Sequence, residues 1–402
     1  MVQFNAFGPV TVSANAVIPL SGAGQGPRVA RLANGESVVL WLSGPSLLAQ
    51  RLDASGSNLG GPVEVTRLTP ALRSYNVTGL GNGDWMVAWA ASTVPQDQSA
   101  RAFTKTVQVK RFNAAGELVQ GTTLVDPTVY ADVDSELHLK GTSDGGCVVA
   151  WSGSLGQAAP RQAFFRRLAQ DGSFASDTVA VSTIGGDQTQ LQAMPLSDGG
   201  LVVAWLQSAG GGASGGSGFA IHTRRFGSGS EALGPERLVE GAEGAGTFQF
   251  AATRLQDDRI GVLWSQPAAD PTVPVNVHWQ ILDAAGAPQI GTGTIFSVAP
   301  QIDDVEIAPD GTGFQGFVQV STATGRVFVA RIGSFVVGAD GVTLAGLNAV
   351  AERNITSVSP QTGETTGPAG TRFSVDGGDD GHFVAAYDTA IARGAEIKAV
   401  GR

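Results

Sequence analysis

The chain has 402 residues, a formal net charge of −10, and a composition 42% hydrophobic but only 15% charged, with glycine at 56 positions. The apolar share rules out a disordered chain, and the glycines lack the three-residue period of collagen. The acidic balance rules out a nucleic-acid binder that displaces counterions from phosphates, and no stretch approaches the ~18 uninterrupted apolar residues of a membrane span.

The chain opens on Met1-Val2-Gln3-Phe4-Asn5-Ala6-Phe7, which has neither the basic start nor the apolar run of a signal peptide. From there a repeat organises everything that follows. A turn residue, Asn or Asp, is followed seven positions later by an aromatic one: Asn34 and Trp41, Asn82 and Trp89, Asp144 and Trp151, Asp198 and Trp205. Asp257 and Trp264, Asp310 and Phe317, and Asp380 and Tyr387 continue the series. The third and fourth copies, Ser143-Asp144-Gly145-Gly146-Cys147-Val148-Val149-Ala150-Trp151 and Ser197-Asp198-Gly199-Gly200-Leu201-Val202-Val203-Ala204-Trp205, are nearly identical.

After each aromatic comes a second landmark. Arg51-Leu52-Asp53-Ala54-Ser55-Gly56, Arg111-Phe112-Asn113-Ala114-Ala115-Gly116 and Arg167-Leu168-Ala169-Gln170-Asp171-Gly172 are clear copies, with looser ones at Arg225-Phe226 and Ile281–Gly286. Asp-Gly and Asn-Gly between apolar runs signal hairpins, because glycine takes positive φ at no steric cost. Each repeat therefore predicts four strands: one before the first turn, the Val-Val-Ala-Trp strand, one ending at the Arg-Phe pair, and one beyond. The second strand is apolar at successive positions, so both of its faces must be covered.

Sheets stacked between two neighbours satisfy that condition, and the repeat length is that of a propeller blade. The expectation is one all-β domain over residues 1–402, a seven-bladed β-propeller with anchors at 34–41, 82–89, 144–151, 198–205, 257–264, 310–317 and 380–387. The last repeat ends at Ala399-Val400-Gly401-Arg402, short of its fourth strand. The N-terminal Val10-Thr11-Val12 segment is expected to supply that strand and close the ring, leaving no open edge at the seam. Between Gly333 and Pro368, the run Phe335–Leu344 reads as an extra hairpin suited to docking.

Gly186-Asp187-Gln188, then Ser197–Trp205 and Arg224-Arg225-Phe226, resemble a repeat of large secreted, adhesin-like bacterial proteins that often carry RTX calcium-binding segments. The resemblance implies an extracellular propeller, commonly without catalysis. The RTX nonapeptides themselves are missing, and Gly377-Gly378-Asp379-Asp380-Gly381 is only a fragment of one.

Loops joining second to third strands range from Ser43–Ser46 to the long Ala91–Ala102 and Ser208–Gly218, and such variable loops on a rigid scaffold are where binding concentrates. Two acidic clusters are candidate calcium sites, since Ca²⁺ takes 6–8 oxygens: Asp132 and Asp134 with Glu136, and Asp303 and Asp304 with Glu306. Solvated turns are the competing reading of both. Cys147, alone in the chain, reads as a buried inert thiol, and His138, His222, His278 and His382 as packing or surface residues without metal-ligand spacing. Trp85 and Trp279 are the aromatics that a sugar-stacking site would use, although their strand positions favour packing. Tyrosine is scarce for a sialidase, and the recurrence of the Arg-Phe pair argues for a scaffold role.

The sequence thus points to a non-enzymatic extracellular or cell-surface binding or scaffold propeller of adhesin type. It would bind a protein or a glycan on the variable-loop face, as a monomer or as part of a larger assembly, without nucleic acid or membrane insertion. A glycan-active enzyme on that face, and a structural subunit assembling through its rims, are the alternatives.

Overall fold

The computed structural model describes residues 16–18, 24–67, 74–92, 105–126, 130–131, 137–154, 160–208, 218–245, 249–266, 275–296, 301–321, 327–338, 342–345, 373–378, 383–391 and 394–401. Among these the fold is all β, without a helix, in four-stranded antiparallel sheets of propeller type.

The described chain begins with a short strand, β1 (Ala16–Ile18), and then builds sheets from consecutive strands. The first sheet holds β2 (Gly24–Arg31), β3 (Ser37–Ser43), β4 (Ser46–Leu52) and β5 (Asn58–Arg67). The second holds β6 (Tyr75–Gly79), β7 (Trp85–Ser92), β8 (Lys105–Phe112) and β9 (Leu118–Leu124). In the third, the inner edge is split into β10 (Tyr130–Ala131) and β11 (His138–Gly141), both paired with β12 (Cys147–Ser154); β13 (Gln162–Leu168) and β14 (Val179–Ala180) complete it. The fourth holds β15 (Gln188–Pro195), β16 (Leu201–Ser208), β17 (Gly218–Phe226) and β18 (Arg237–Ala245). The fifth holds β19 (Gln249–Arg254), β20 (Ile260–Gln266), β21 (Asn276–Leu282) and β22 (Pro288–Phe296). The sixth holds β23 (Gln301–Asp310), β24 (Gly313–Ser321), β25 (Val327–Val337) and β26 (Val342–Ala345). The last holds β27 (Phe373–Gly377), β28 (Phe383–Ile391) and β29 (Gly394–Gly401), with β1 as its fourth strand.

The turn residue of the repeat acts through its side chain. Asn34, Asn82, Asp144 and Asp198 each accept, on Oδ1, the N–H two residues ahead, closing an Asx turn between the first and second strands at 2.8–3.1 Å. The glycine that follows takes φ between +78° and +86° at Gly35, Gly83, Gly145 and Gly199, where a β-carbon would be strained. In the fifth sheet Asp258 occupies that position at φ +64°.

The second strand is covered on both faces, as its unbroken apolar run requires. Cys147, Val149 and Trp151 pack with Met86 and Ala88 of the second sheet, while Val148 and Ala150 pack with Leu191, Val203 and Trp205 of the fourth. Trp41, Trp89, Trp151, Trp205, Trp264 and Phe317 are all at most 2% exposed. Removing one such indole costs about 3–5 kcal/mol, because the rigid neighbours cannot close the gap.

Arginines of the second landmark lace sheet to sheet. Arg51 pairs with Glu36 of its own sheet at 2.7 Å and donates to Ala115 O of the next at 2.8 Å. Arg225 pairs with Asp198 and donates to Ala284 O at 3.1 Å, and Arg167 reaches Ser230 Oγ and Gly227 O, both at 3.1 Å. The recurrence of these residues is thereby explained as scaffolding. Gln188 does the same work at the opposite end of the sheets: Ala163 N donates to its Oε1 at 2.8 Å, and its Nε2 donates to Ile184 O at 3.0 Å.

The innermost strands pack in succession, β2 on β6, β6 on β11, β11 on β15, β15 on β19, β19 on β23, β23 on β27 and β27 on β2. Glycine permits the closest of these approaches. A β-carbon on Gly79 would lie 2.7 Å from Arg31 O, and one on Gly141 would strike Gly79 O. At the seam, β1 pairs antiparallel with β29, with Ala16 opposite Ala399, Val17 opposite Lys398 and Ile18 opposite Ile397. Val10–Val12, the segment expected there, lies outside the described residues. The hairpin expected at Phe335–Leu344 exists, with Phe335 opposite Leu344, but it joins β25 to β26 as the outer pair of the sixth sheet. It is therefore an ordinary part of the repeat and nothing additional to it.

Candidate functional site

Residues of the inner strands line a polar channel. Arg28, Asn76, His138, Gln192 and Ser374 stand at one height, each opposite the residue that precedes the second-strand aromatic: Leu40, Ala88, Ala150, Ala204 and Ala386. Irregularities just above this level give the mouth its shape. β2 bulges at Gly26 and β15 at Gln190, with φ +61° and +49°. Such bulges bend a strand and re-aim its side chains. The resulting cavity measures about 80 Å³, and Lys140, Thr253 and Glu306 also line it. That space is roomy enough for a few water molecules.

Lys140 Nζ lies 2.9 Å from Asp376 Oδ1, and Arg31 N donates to Asp376 Oδ2 at 2.8 Å. Burial works to strip Lys140 of its proton, but the charge and hydrogen bond of Asp376, with Glu306 behind them, outweigh it and raise the ammonium's pKa. Its side chain is still 39% exposed. His138 behaves in the opposite way. Burial, reinforced by the positive charges of Lys140 and Arg28, pushes its imidazole down to about 3 against a hydrogen bond with Gln192. Its Nδ1 accepts the Ala193 N–H at 3.0 Å, which assigns the neutral ring's proton to Nε2. Asn76 is spent on backbone, donating to Leu137 O at 3.0 Å and accepting Val77 N at 2.8 Å.

Of the expected calcium ligands, Asp132 and Asp134 lie outside the described residues. Asp303 is the extra residue of a bulge in β23, and Asp304 Oδ1 accepts its neighbour Val305 N at 2.9 Å. Among the described residues no group of three or more His, Cys, Asp or Glu is arranged to hold a metal ion. Cys147 is buried against Met86, with its thiol pushed up by burial to about 12. His222 and His278 stack on Trp205 and Trp264 at 5.7 and 5.5 Å, and His382 lies outside the described residues. Trp85 is fully buried on Phe112 at 4.1 Å, and Trp279 packs edge-on to Phe335. Most of the two long loops, residues 93–104 and 209–217, lies outside the described residues.

No protein-family model and no curated protein matches this chain. Among solved structures it is similar to the polysaccharide lyase Uly1, with a TM-score of 0.53 at 11% identity over 96% of this chain and 90% of that one. It is also similar to a protein of unknown function from Dyadobacter fermentans DSM 18053, with a TM-score of 0.52 at 11% identity over 96% of both chains. At this identity the likeness concerns the fold.

Proposed function

We propose that the chain is a closed seven-bladed β-propeller that serves as a non-enzymatic, extracellular binding scaffold of adhesin type, taking a glycan on the face that carries the long loops. The cyclic succession of inner strands and the β1–β29 pairing support the ring. What supports the non-enzymatic reading is that the titratable groups of the channel already have partners, Ala193 N–H on His138 Nδ1 at 3.0 Å and Asp376 Oδ1 on Lys140 Nζ at 2.9 Å. A general acid or base works best with its pKa near the working pH, whereas His138 is held neutral by a pKa of about 3 and Lys140 is held charged against Asp376. A glycan is the first ligand to test because a polysaccharide lyase shares the fold, an argument from analogy. That same likeness favours a glycan-active enzyme as the second reading.

A glycan array read together with product release from a polysaccharide panel separates the two. Retention of at least one glycan class without product supports the proposal. Release of product moves the assignment to the enzyme, and the absence of binding to any glycan contradicts both.

A further inference from the structure

The inner strands that line the channel begin at the end of the sheets that carries the long loops. Gln188 opens β15 opposite Gln207, one residue before β16 gives way to the loop that follows Ser208. β15 then bulges at Gln190, and Gln192 lines the cavity. β2 repeats the arrangement, with Gly24 opposite Ser43, a bulge at Gly26 and Arg28 in the wall. Four residues of strand set the cavity about 13 Å below the start of these strands. Gln190 is not a glycine, yet it takes φ +49°, a costly conformation of the kind that clusters at ligand clamps.

We propose that the channel takes a single neutral sugar ring, either free or as the end residue of the glycan assigned to the loop face; the second case rests on that assignment. Three properties of the wall select this ligand. The first is charge: Arg28 and Lys140 stand against Glu306 and Asp376, so the described wall is neutral and offers an ion nothing to offset its desolvation. The second is a mixture of donors and acceptors. The Thr253 hydroxyl has no hydrogen-bond partner among the described residues, so it can both give and accept. Ser374 Oγ accepts Val29 N–H at 3.3 Å and keeps its own proton to donate. Because Ala193 N–H occupies His138 Nδ1, the His138–Gln192 hydrogen bond runs from Nε2–H to the Gln192 carbonyl oxygen. The Gln192 amide N–H groups are left for a ligand, and a molecule covered in hydroxyls answers such a set because each hydroxyl gives and accepts. The third is size: about 80 Å³ takes roughly half a dozen waters or one sugar ring in their place.

Calorimetric titration of the full chain with D-glucose, D-galactose, D-mannose and D-xylose tests this, beside Thr253→Val, Thr253→Ser and Thr253→Phe. At least one sugar should bind saturably, with a Kd on the order of millimolar. Thr253→Val, which keeps the shape and removes the hydroxyl, should weaken that binding about five- to tenfold. Thr253→Ser should restore it, and Thr253→Phe, which fills the space, should abolish it; unchanged melting temperatures confirm that the variants are folded. D-glucuronate and D-galacturonate should bind more weakly than the neutral rings. Where a loop-face glycan ends in the channel, the free sugar competes with it and Thr253→Phe releases it; a glycan that Thr253→Phe leaves bound, beside a free sugar that it excludes, makes the free sugar the ligand. No binding by any of the four sugars, binding that Thr253→Phe leaves unchanged, or a uronate bound more tightly than the neutral rings would each overturn the proposal, whatever glycan the loop face retains.

Discussion

Lys140 and Asp376 meet across the channel, Nζ to Oδ1 at 2.9 Å, although 236 residues separate them and they belong to the third and the last sheets. An ion pair between non-adjacent sheets ties the inner strands together through the axis. Removing one partner leaves the other charged in a confined space. Lys140→Met or Asp376→Leu alone should lower stability by about 1–3 kcal/mol, below the range for fully buried pairs because the Lys140 side chain is 39% exposed. The double variant should lose much less than the sum, read from urea midpoints. Additive losses would mean that the pair is not coupled.

His138 makes stability depend on pH. Its folded pKa, about 3, lies below the ordinary 6.5, so between those values the unfolded chain binds a proton that the folded chain refuses. Stability is then complete above pH 6.5 and falls as the pH drops toward 3, by a total on the order of a few kcal/mol. Denaturant midpoints for the wild type and His138→Asn across that window should diverge, with the variant showing the shallower slope. Parallel curves would show that His138 titrates normally.

The arginine laces are ranked by burial. Arg167 is 7% exposed and joins the third sheet to Ser230 and Gly227 of the fourth. Arg167→Met should cost about 2–3 kcal/mol, because buried acceptors are left unpaired. Arg51→Met, with its partner Glu36 nearer solvent, should cost about 1 kcal/mol. Thermal unfolding of the two variants gives the order, and a reversal would mean that the contacts do not govern stability.

Glycine matters where inner strands touch and not at the rim. Gly141→Ala drives a methyl group into Gly79 O and should cost about 1–3 kcal/mol, as overpacking does. Gly121→Ala, in open space, should stay within about 0.5 kcal/mol of the wild type. Equal effects would indicate that the inner strands are not in contact.

The sheets were legible because their signal is local. An Asx turn, a glycine of positive φ and an aromatic seven residues on are all fixed within one hairpin, so Asp144 and Trp151 announce themselves without the rest of the chain. The channel was not legible in that way, since its residues come from seven inner strands and meet only after those strands converge. A periodic trace of it exists nonetheless. Arg28, Asn76, His138, Gln192 and Ser374 each stand six residues before a turn residue, Asn34, Asn82, Asp144, Asp198 and Asp380. Polar side chains recurring at that fixed distance mark the residues that line the channel. His138, read as a packing or surface residue, belongs to this set. The acidic clusters drew attention because charge stands out in a sequence, yet Asp303 is a bulge residue and Asp304 caps its neighbour's amide.

The proposed ring depends on the pairing of β1 with β29, which places Val17 opposite Lys398. A Val17→Cys, Lys398→Cys variant tests it directly, because the native Cys147 is buried and leaves the new thiols to find each other. Mild oxidation should give an intramolecular disulfide in the monomer and raise the melting temperature. It should also protect β29 amides from hydrogen exchange, since a cross-link of chain ends removes the most freedom from the unfolded state. Thiols that stay free in the native protein, with β29 exchanging as fast as an unpaired edge, would contradict the ring.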